Sequence, residues 1–222
     1  MGIDKKIRID QILTGKLKLS AIFIDGIHNE QFDSRVWNEM ENVAEGYKKR
    51  FNSFSECKPL LEPARILYKS IRIEPSRYRP ASEALIKRVL QDKPLYRINK
   101  AVDFANMCSL KFMLPVGLYD RNKIRGDILI SIGKEHDKYV GLGKPEVLLH
   151  DKFVLFDEMG PFGNPSSDSL RTSVDLETKD LLFIYYFPSN FGQEQINIIT
   201  RKTVDLINEM LQPVTVDYIN LE

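Results

Sequence analysis

Two short polar side chains stand three residues apart in an apolar stretch, INKAVDFANMCSLKFMLPVGLYD, residues 98 to 120. Asp103 and Asn106 lie in its predicted helix, which Asn99 can cap and which ends before a Pro-x-Gly turn. Burying a carboxyl or amide group costs free energy unless the group finds a partner. We therefore expect Asp103 to bond backbone amides, and Asn106 either to tie the helix to a loop or to face a ligand.

Two further segments carry polar groups that could bind a small molecule. In RPASEALIKRVL, Arg79 and Ser82 stand at a predicted helix start, where free backbone N–H groups favour an anion or a carboxylate. The alternative is a capped helix with a surface arginine. The segment GPFGNPSSDSLRTSVD, residues 160–175, is predicted to be a loop between two strands, serving either as a connection or as a ligand-holding loop at a sheet end.

The sequence lacks the motifs of several large enzyme classes. There is no G-x-S-x-G, H-E-x-x-H, P-loop or G-x-G-x-x-G pattern, which gives no support to triad hydrolases, zincins, NTPases or Rossmann enzymes. Two separated cysteines and three scattered histidines are too few for a zinc site. We predict reduced thiols and neither a metal nor a cofactor.

The elements that position these residues follow from periodicity and turn signals. A strand is predicted over 18–27, and a series of short β-rich runs follows Gly117. Residues 62–80 are predicted to be a loop with a short helical piece. Because helices gather early and strands late, the pattern favours an α+β fold, a mainly antiparallel sheet with flanking helices, over alternating α/β. Helices are predicted over 32–52, 80–90, 100–112 and 194–211.

Composition sets the general class of the protein. The chain is 43% hydrophobic and 28% charged, the usual globular balance, and no apolar run reaches the length of a membrane span. The N-terminus lacks a secretory apolar region, so we predict a cytoplasmic protein with no membrane association. The net charge of +1 conceals a basic region, residues 58–101 at +7, and an acidic region, residues 145–180 at −5. Such asymmetry permits phosphate contact on one face, although solvated helix faces would give the same counts.

Three motifs, taken in order, resemble a known family. RPASEALIKRVL, INKAVDFANMCSLKFMLPVGLYD and SLRTSVDLETKDLLFIYYF are similar to the editing domain of the bacterial phenylalanyl-tRNA synthetase beta subunit. The similarity is greater still to free-standing proteins that consist of this domain. It covers roughly residues 75–190. The resemblance implies one editing-like domain over 1–222, with an N-terminal strand and helix extension over 1–55 and a C-terminal helix over 194–211.

The family resemblance implies an activity and partners. In the synthetase, this domain hydrolyses tyrosine wrongly attached to the phenylalanine tRNA. Such editing is needed because the site that activates phenylalanine cannot fully reject an analogue that differs by one hydroxyl. Water attacks the aminoacyl ester, helped by positioning and polar groups and without a nucleophilic side chain. The leading hypothesis is a trans-editing aminoacyl-tRNA deacylase acting on a substrate such as tyrosyl-tRNA(Phe). The charge asymmetry allows, but does not require, contact with tRNA through Lys69, Arg72, Arg77, Lys87 and Arg88.

Two features of the sequence depart from the synthetase pattern. Where the family has the histidine of Pro-x-His-x-Phe-Asp, this chain has Gly117, as is typical of the free-standing proteins. The family's glutamate that meets the tyrosine hydroxyl lies in a Gly-rich loop that matches residues 160–172 only loosely. These departures favour the alternative hypothesis, a non-catalytic module that binds an aromatic amino acid or a tRNA 3′ end. The residues that could replace the glutamate are Asn164, Ser166, Ser167 and Asp168.

The candidate site combines these segments. Asn106 is expected to face the bound amino acid and Asp103 to hold loop backbone, in a pocket closed by the 114–120 turn and the 160–173 loop. No catalytic residue is assigned. The candidate substrate-binding residues are Arg79, Ser82, Asn106, Pro115, Gly117, Asp168, Arg171 and Thr172. The residues expected to support the pocket are Asn99, Asp103 and Asp120.

Overall fold

Helices and strands alternate irregularly along the chain. The computed structural model describes residues 5–76 and 79–222, which contain five α-helices and ten β-strands. No helix in these two ranges is long and apolar enough to cross a membrane. The helices are α1 Ser34–Arg50, α2 Lys58–Ser70, α3 Ala81–Val89, α4 Lys100–Phe112 and α5 Gln193–Met210. The strands are β1 Ile7–Ile9, β2 Leu17–Asp25, β3 Val116–Asp120, β4 Ile128–Ile132, β5 Lys138–Gly141, β6 Lys144–Leu148, β7 Phe153–Asp157, β8 Gly160–Gly163, β9 Leu181–Pro188 and β10 Thr215–Leu221.

The strands form two four-stranded sheets and one hairpin. The first sheet has the order β10-β2-β9-β3 and is antiparallel throughout. The second has the order β1-β4-β7-β8, in which the β1–β4 pair is parallel. Strands β5 and β6 form the hairpin. The predicted α+β fold, with a mainly antiparallel sheet and flanking helices, is confirmed.

The central strands β2 and β9 separate two hydrophobic cores. Side chains of a strand alternate between its two faces, and on β9 Phe183 packs into a core with the helices whereas Ile184 packs into a core with the second sheet. On β2, Ile22 and Phe23 divide in the same way. Strand β9 is buried along its whole length, which explains its continuous apolar composition. The first sheet is therefore a middle layer, with α1, α3, α4 and α5 on one side and the second sheet on the other, while α2 contributes to both cores.

Two predictions about local structure are wrong. The segment predicted as a loop with a short helical piece contains α2, a 13-residue helix with Pro63 inside it. The helix buries Leu61, Ala64, Leu67 and Tyr68 on one face, and this packing outweighs the cost of the internal proline. The predicted 114–120 turn is largely β3, because residues 116–120 pair with β9.

The start of α4 is fixed by two side chains. Asn99 caps the helix by accepting a hydrogen bond from the backbone N–H of Val102 at 3.0 Å. Asp103 accepts the backbone N–H of Ile98 at 3.0 Å. Burial raises the pKa of the Asp103 carboxyl, against the lowering effect of the Ile98 N–H and of nearby Arg97. Both side chains thus satisfy backbone donors and hold the helix that carries Asn106.

Candidate functional site

A cavity of about 430 Å³ lies between α4, β3 and the segment 165–168. Helix α4 contributes residues at i, i+3, i+4 and i+7, which form a single face of a helix. Strand β3 contributes Val116 and Leu118, two alternate positions that share one face of the strand. The residues of α4 that line the cavity are Val102, Ala105, Asn106 and Ser109.

Asn106 is one of two polar residues on the α4 side of the cavity. Its side chain is half-buried and makes no hydrogen bond within the described part of the chain. By contrast, the neighbouring Ser109 hydroxyl donates to the carbonyl of Leu114 at 2.7 Å. An amide offers both donors and an acceptor, so Asn106 has hydrogen-bonding capacity available to a molecule in the cavity.

Asp168 supplies the ionisable group of the cavity. The residue as a whole is half-buried, but its carboxyl group is enclosed, and this desolvation raises its pKa to about 7. The hydroxyl of Tyr119 donates to Asp168 Oδ1 at 2.7 Å. This bond and the backbone N–H of Asn164 lower the pKa of the carboxyl, but by less than burial raises it. A carboxyl with such a pKa can accept or donate a proton near neutral pH.

A cluster of four tyrosines, Tyr68, Tyr119, Tyr139 and Tyr186, holds the segment 165–168. Tyr68 and Tyr139 donate hydrogen bonds to backbone carbonyls of the segment, those of Pro165 and Ser167. Tyr119 binds the Asp168 side chain and lies 3.1 Å, hydroxyl to hydroxyl, from Tyr186. The cluster fixes the position of Asp168 in the cavity wall.

The four residues proposed to replace the family's glutamate have different roles. Asn164 is buried and donates through Nδ2 to the carbonyl of Phe153 at 2.5 Å. Its Oδ1 accepts the backbone N–H of Ser166 at 2.9 Å. Asn164 therefore shapes the loop, whereas Ser166, Ser167 and Asp168 line the cavity.

The start of α3 contributes only Ala81 to the cavity. Arg79, predicted to bind substrate, lies with Nε 3.4 Å from Oε1 of Glu83 and lines other clefts. Ser82 is fully buried, and its hydroxyl has no hydrogen-bond partner among the described residues. Neither residue lines the cavity of Asn106 and Asp168. Of the expected tRNA contacts, Arg77 lies outside the described residues.

Gly117 faces the tyrosine cluster and not the cavity. A Cβ atom at this position would lie 2.6 Å from the hydroxyl oxygen of Tyr119 and 2.7 Å from that of Tyr186. Its neighbours Val116 and Leu118 line the cavity from the opposite face of β3. The glycine thus makes room for two buried hydroxyl groups, and Pro115 does not line the cavity either.

Three other predicted site residues take part in a network away from the cavity. Arg171 binds the buried Asp157 through two bonds of 2.9 Å. Burial opposes ionisation of Asp157, but Arg171 and backbone N–H groups outweigh it and lower the pKa of this carboxyl. The backbone N–H of Asp120 donates to the carbonyl of Thr172 at 2.9 Å, and its carboxylate accepts the Thr178 hydroxyl at 2.7 Å. These residues connect the 170–180 segment to the sheets.

The cavity lies inside a recognisable sequence family. A family model described as the B3/4 domain matches residues 64–207, a range that includes every residue lining the cavity. The chain belongs to the B3/4 domain family. This is the editing-domain family of the phenylalanyl-tRNA synthetase beta subunit, so the resemblance found in the sequence is confirmed.

One protein sequence and one solved structure are similar to this B3/4 protein. An uncharacterized protein of Bacillus subtilis (strain 168), YhzB, is 28% identical over 106 residues, which cover 47% of this chain and 44% of the relative. A crystal structure of an N-terminal fragment of the phenylalanyl-tRNA synthetase beta-subunit from Pyrococcus horikoshii aligns with 94% of this chain and 50% of the fragment. The TM-score is 0.52 and the identity 14%. The structural match supports a common fold, and this chain spans about half the length of each relative.

Two of the binding residues predicted from the sequence meet in one cavity of this B3/4 domain. Asn106 and Asp168 line one cavity, whereas the other predicted binding residues lie elsewhere. The tyrosine cluster was missed, although Tyr185 and Tyr186 within the apolar strand β9 gave a signal. Two phenol groups in a buried strand each need a hydrogen-bond partner. The partner of Tyr186 is the hydroxyl of Tyr119, which also bonds Asp168.

Proposed function

We propose that this protein hydrolyses the ester bond of an aminoacyl-tRNA, with the aminoacyl group held in the cavity of Asn106 and Asp168. One observation carries the proposal: an unpartnered amide and a carboxyl with a pKa of about 7 line the same largely apolar cavity. Membership of the editing-domain family supports the choice of ester. The substrate class follows from both observations together.

The proposed roles follow from the chemistry of the two side chains. Asn106 hydrogen-bonds polar atoms of the aminoacyl group and holds the ester carbonyl in place. Ionised Asp168 accepts a proton from a water molecule, whose oxygen attacks the carbonyl carbon. The bond between this carbon and the ribose oxygen then breaks, and the ribose oxygen takes up a proton. The products are a free amino acid and a tRNA with a free ribose hydroxyl.

The walls of the cavity suit an apolar or aromatic amino-acid side chain. Most of the lining side chains are aliphatic, including Val102, Val116 and Leu118. A volume of about 430 Å³ falls within the usual range of small-molecule pockets. A mischarged amino acid such as tyrosine is therefore a suitable substrate to test first.

The test is single-turnover deacylation of tyrosyl- and phenylalanyl-tRNA(Phe) by wild type and Asn106→Ala. We expect the variant to lose about tenfold or more in rate, since it removes the amide that positions the ester. Its stability should be equal or slightly higher, because alanine favours a helix interior and no protein hydrogen bond is lost. The matched control is Asn208→Ala, an exposed asparagine of α5, which should retain the full rate. Equal losses of rate and stability in Asn106→Ala would contradict the proposal.

Asp168→Asn separates catalysis from substrate selection. If Asp168 is the general base, the variant loses hydrolysis of every aminoacyl ester. If Asp168 instead bonds the hydroxyl of a tyrosyl group, the variant keeps hydrolysis and loses its preference for tyrosine over phenylalanine. Loss of neither property would refute both roles.

A second candidate function is a non-catalytic pocket for an aromatic amino acid. The largely aliphatic walls and the amide of Asn106 are enough to hold an aromatic amino acid without any reaction, and this favours binding alone. Calorimetry with free tyrosine and phenylalanine would detect such binding. Tight binding of a free amino acid, together with no hydrolysis of any mischarged tRNA, would support this alternative.

A further inference from the structure

A cleft of about 440 Å³ with a strongly basic lining runs along the exposed side of α3. Of the residues that the structure describes, four cationic ones line the cleft and no carboxylate does. Besides these, Ala84 and Tyr96 form part of its wall. The cationic residues are Arg79, Lys87, Arg88 and Lys93.

The charge of this cleft is largely uncompensated. Lys87 and Lys93 have no ion pair with a carboxylate in the described part of the chain. Only Arg79 approaches one, at 3.4 Å from Glu83, and that carboxylate already accepts two bonds of 2.9 Å from Arg65. Such a group of cations attracts a polyanion, above all a phosphodiester backbone.

An exposed aromatic ring stands in the same cleft. Tyr96 is 60% exposed, and the guanidinium carbon of Arg88 lies 4.1 Å from the ring centre. Arg88 is held there by two bonds to the carbonyl of Pro94 and one to the Tyr96 hydroxyl. An aromatic ring fixed beside cations is the arrangement on which unpaired nucleic-acid bases stack.

The surface of cations and aromatic rings continues beyond Tyr96. Lys93 and Tyr96 also line a larger cavity, about 850 Å³, that reaches Trp37. There the Arg97 guanidinium lies 4.4 Å from the Trp37 ring and 4.8 Å from the Phe32 ring. The lining of this larger cavity combines cations with the carboxylates of Glu41, Glu45 and Asp92, so its charge is balanced, unlike that of the basic cleft.

The basic cleft adjoins the cavity of Asn106 and Asp168 through two stretches of chain. On α3, Ala81 lines the cavity and Ala84, one turn later, lines the cleft. On the following segment, Tyr96 lines the cleft and Ile98, two residues later, lines the cavity. The cleft and the cavity therefore lie side by side, within reach of a single strand of nucleotides.

We propose that the cleft binds the single-stranded 3′ end of the substrate tRNA. Lys87 and Lys93 contact phosphates, and an unpaired base stacks on Tyr96, so that the terminal nucleotide presents its aminoacyl ester to Asn106 and Asp168. This inference rests on the proposed hydrolysis of aminoacyl-tRNA. It adds the path by which the substrate reaches the cavity.

The test measures binding of a fluorescently labelled single-stranded oligoribonucleotide with the sequence of a tRNA 3′ end, by anisotropy over a series of salt concentrations. The double variant Lys87→Gln/Lys93→Gln should weaken binding roughly 10- to 60-fold at about 50 mM salt. The slope of log affinity against log salt should become shallower by about 1.4, since each phosphate contact on a single strand contributes about 0.7. Tyr96→Ala should weaken binding by about fivefold or more with little change in the slope.

The matched control is Lys202→Gln, an exposed lysine of α5 that lines none of these cavities. It should leave affinity and slope unchanged. Absence of RNA binding by the wild type, or the same loss in the control as in the double variant, would overturn the proposal. Asn106→Ala should bind the oligoribonucleotide normally yet lose deacylation. An error in the proposed RNA binding by the cleft and an error in the proposed hydrolysis therefore give different results.

Discussion

Replacing Asp168 with asparagine should stabilise this protein at alkaline pH while removing the proposed deacylase activity. The carboxyl group is enclosed in the cavity wall, and its pKa is raised to about 7 from an ordinary value of 3.8. Asparagine keeps an oxygen that can accept the Tyr119 hydroxyl at the distance of 2.7 Å now seen for Oδ1. It carries no charge at any pH, so the cost of burying a carboxylate disappears.

The magnitude follows from linkage between protonation and folding. Between about pH 4 and pH 7 the folded protein retains a proton that the unfolded chain has released, so stability falls as pH rises through this window. A difference of about three pKa units, at 1.36 kcal/mol each, sets an upper limit of about 4 kcal/mol above pH 7. Because Asp168 keeps some contact with solvent, we expect Asp168→Asn to gain roughly 1–3 kcal/mol at pH 8. Near pH 4 the gain should vanish.

The assay is urea unfolding of wild type and Asp168→Asn at a series of pH values from 4 to 8, with deacylation measured on the same samples. Asp205→Asn, an exposed aspartate of α5, is the control and should show no pH-dependent gain. A variant that is less stable than wild type at pH 8, or a difference in unfolding free energy that is equal at pH 4 and pH 8, would refute the reasoning. A stabilised but inactive variant would identify Asp168 as a group retained for function at the expense of stability.

Three further substitutions test the surroundings of the site. Tyr119→Phe removes a donor that lowers the pKa of Asp168, so the pH–rate profile of deacylation should shift to higher pH; an unchanged midpoint would contradict this. Gly117→Ala should destabilise by about 1–3 kcal/mol in chemical unfolding, because the new Cβ meets two tyrosine hydroxyls. Its control Gly46→Ala, with open space around it in α1, should stabilise by up to about 1 kcal/mol. Arg171→Ala should cost roughly 3 kcal/mol, because it leaves its buried carboxylate partner unpaired. The deacylation rate per folded molecule should stay normal. A loss of rate without a loss of stability would instead indicate that Arg171 binds substrate, as the sequence predicted.

Local signals were sufficient where they agreed with each other. The helix predicted over 100–112 matches α4, Lys100–Phe112, because a capping residue, apolar periodicity and a following proline all indicate the same boundaries. For α2 the signals conflicted, since Pro63 indicates a break whereas the apolar positions indicate a helix. Only the packing of the buried face decides that conflict, and packing is a property of the folded chain.

The site was harder to predict because it depends on which face of a strand each residue occupies. In β9 the sequence shows adjacent tyrosines at 185 and 186, and alternation alone places them on opposite faces. Which of them meets Tyr119 is decided by the register between β9 and β3. For the same reason a histidine-to-glycine difference at 117 suggested a change in the pocket. In the structure, this position faces the tyrosine hydroxyls.

The way in which the tyrosine cluster holds the segment 165–168 also bears on how the pocket can evolve. Tyr68 and Tyr139 bind main-chain carbonyl groups there, and every amino acid supplies a carbonyl. The side chain of Ser167, a residue that lines the cavity, can therefore be exchanged without removing the bonds that position the loop. Saturation mutagenesis at this position is thus a direct route to domains of the same architecture that accept a different amino acid.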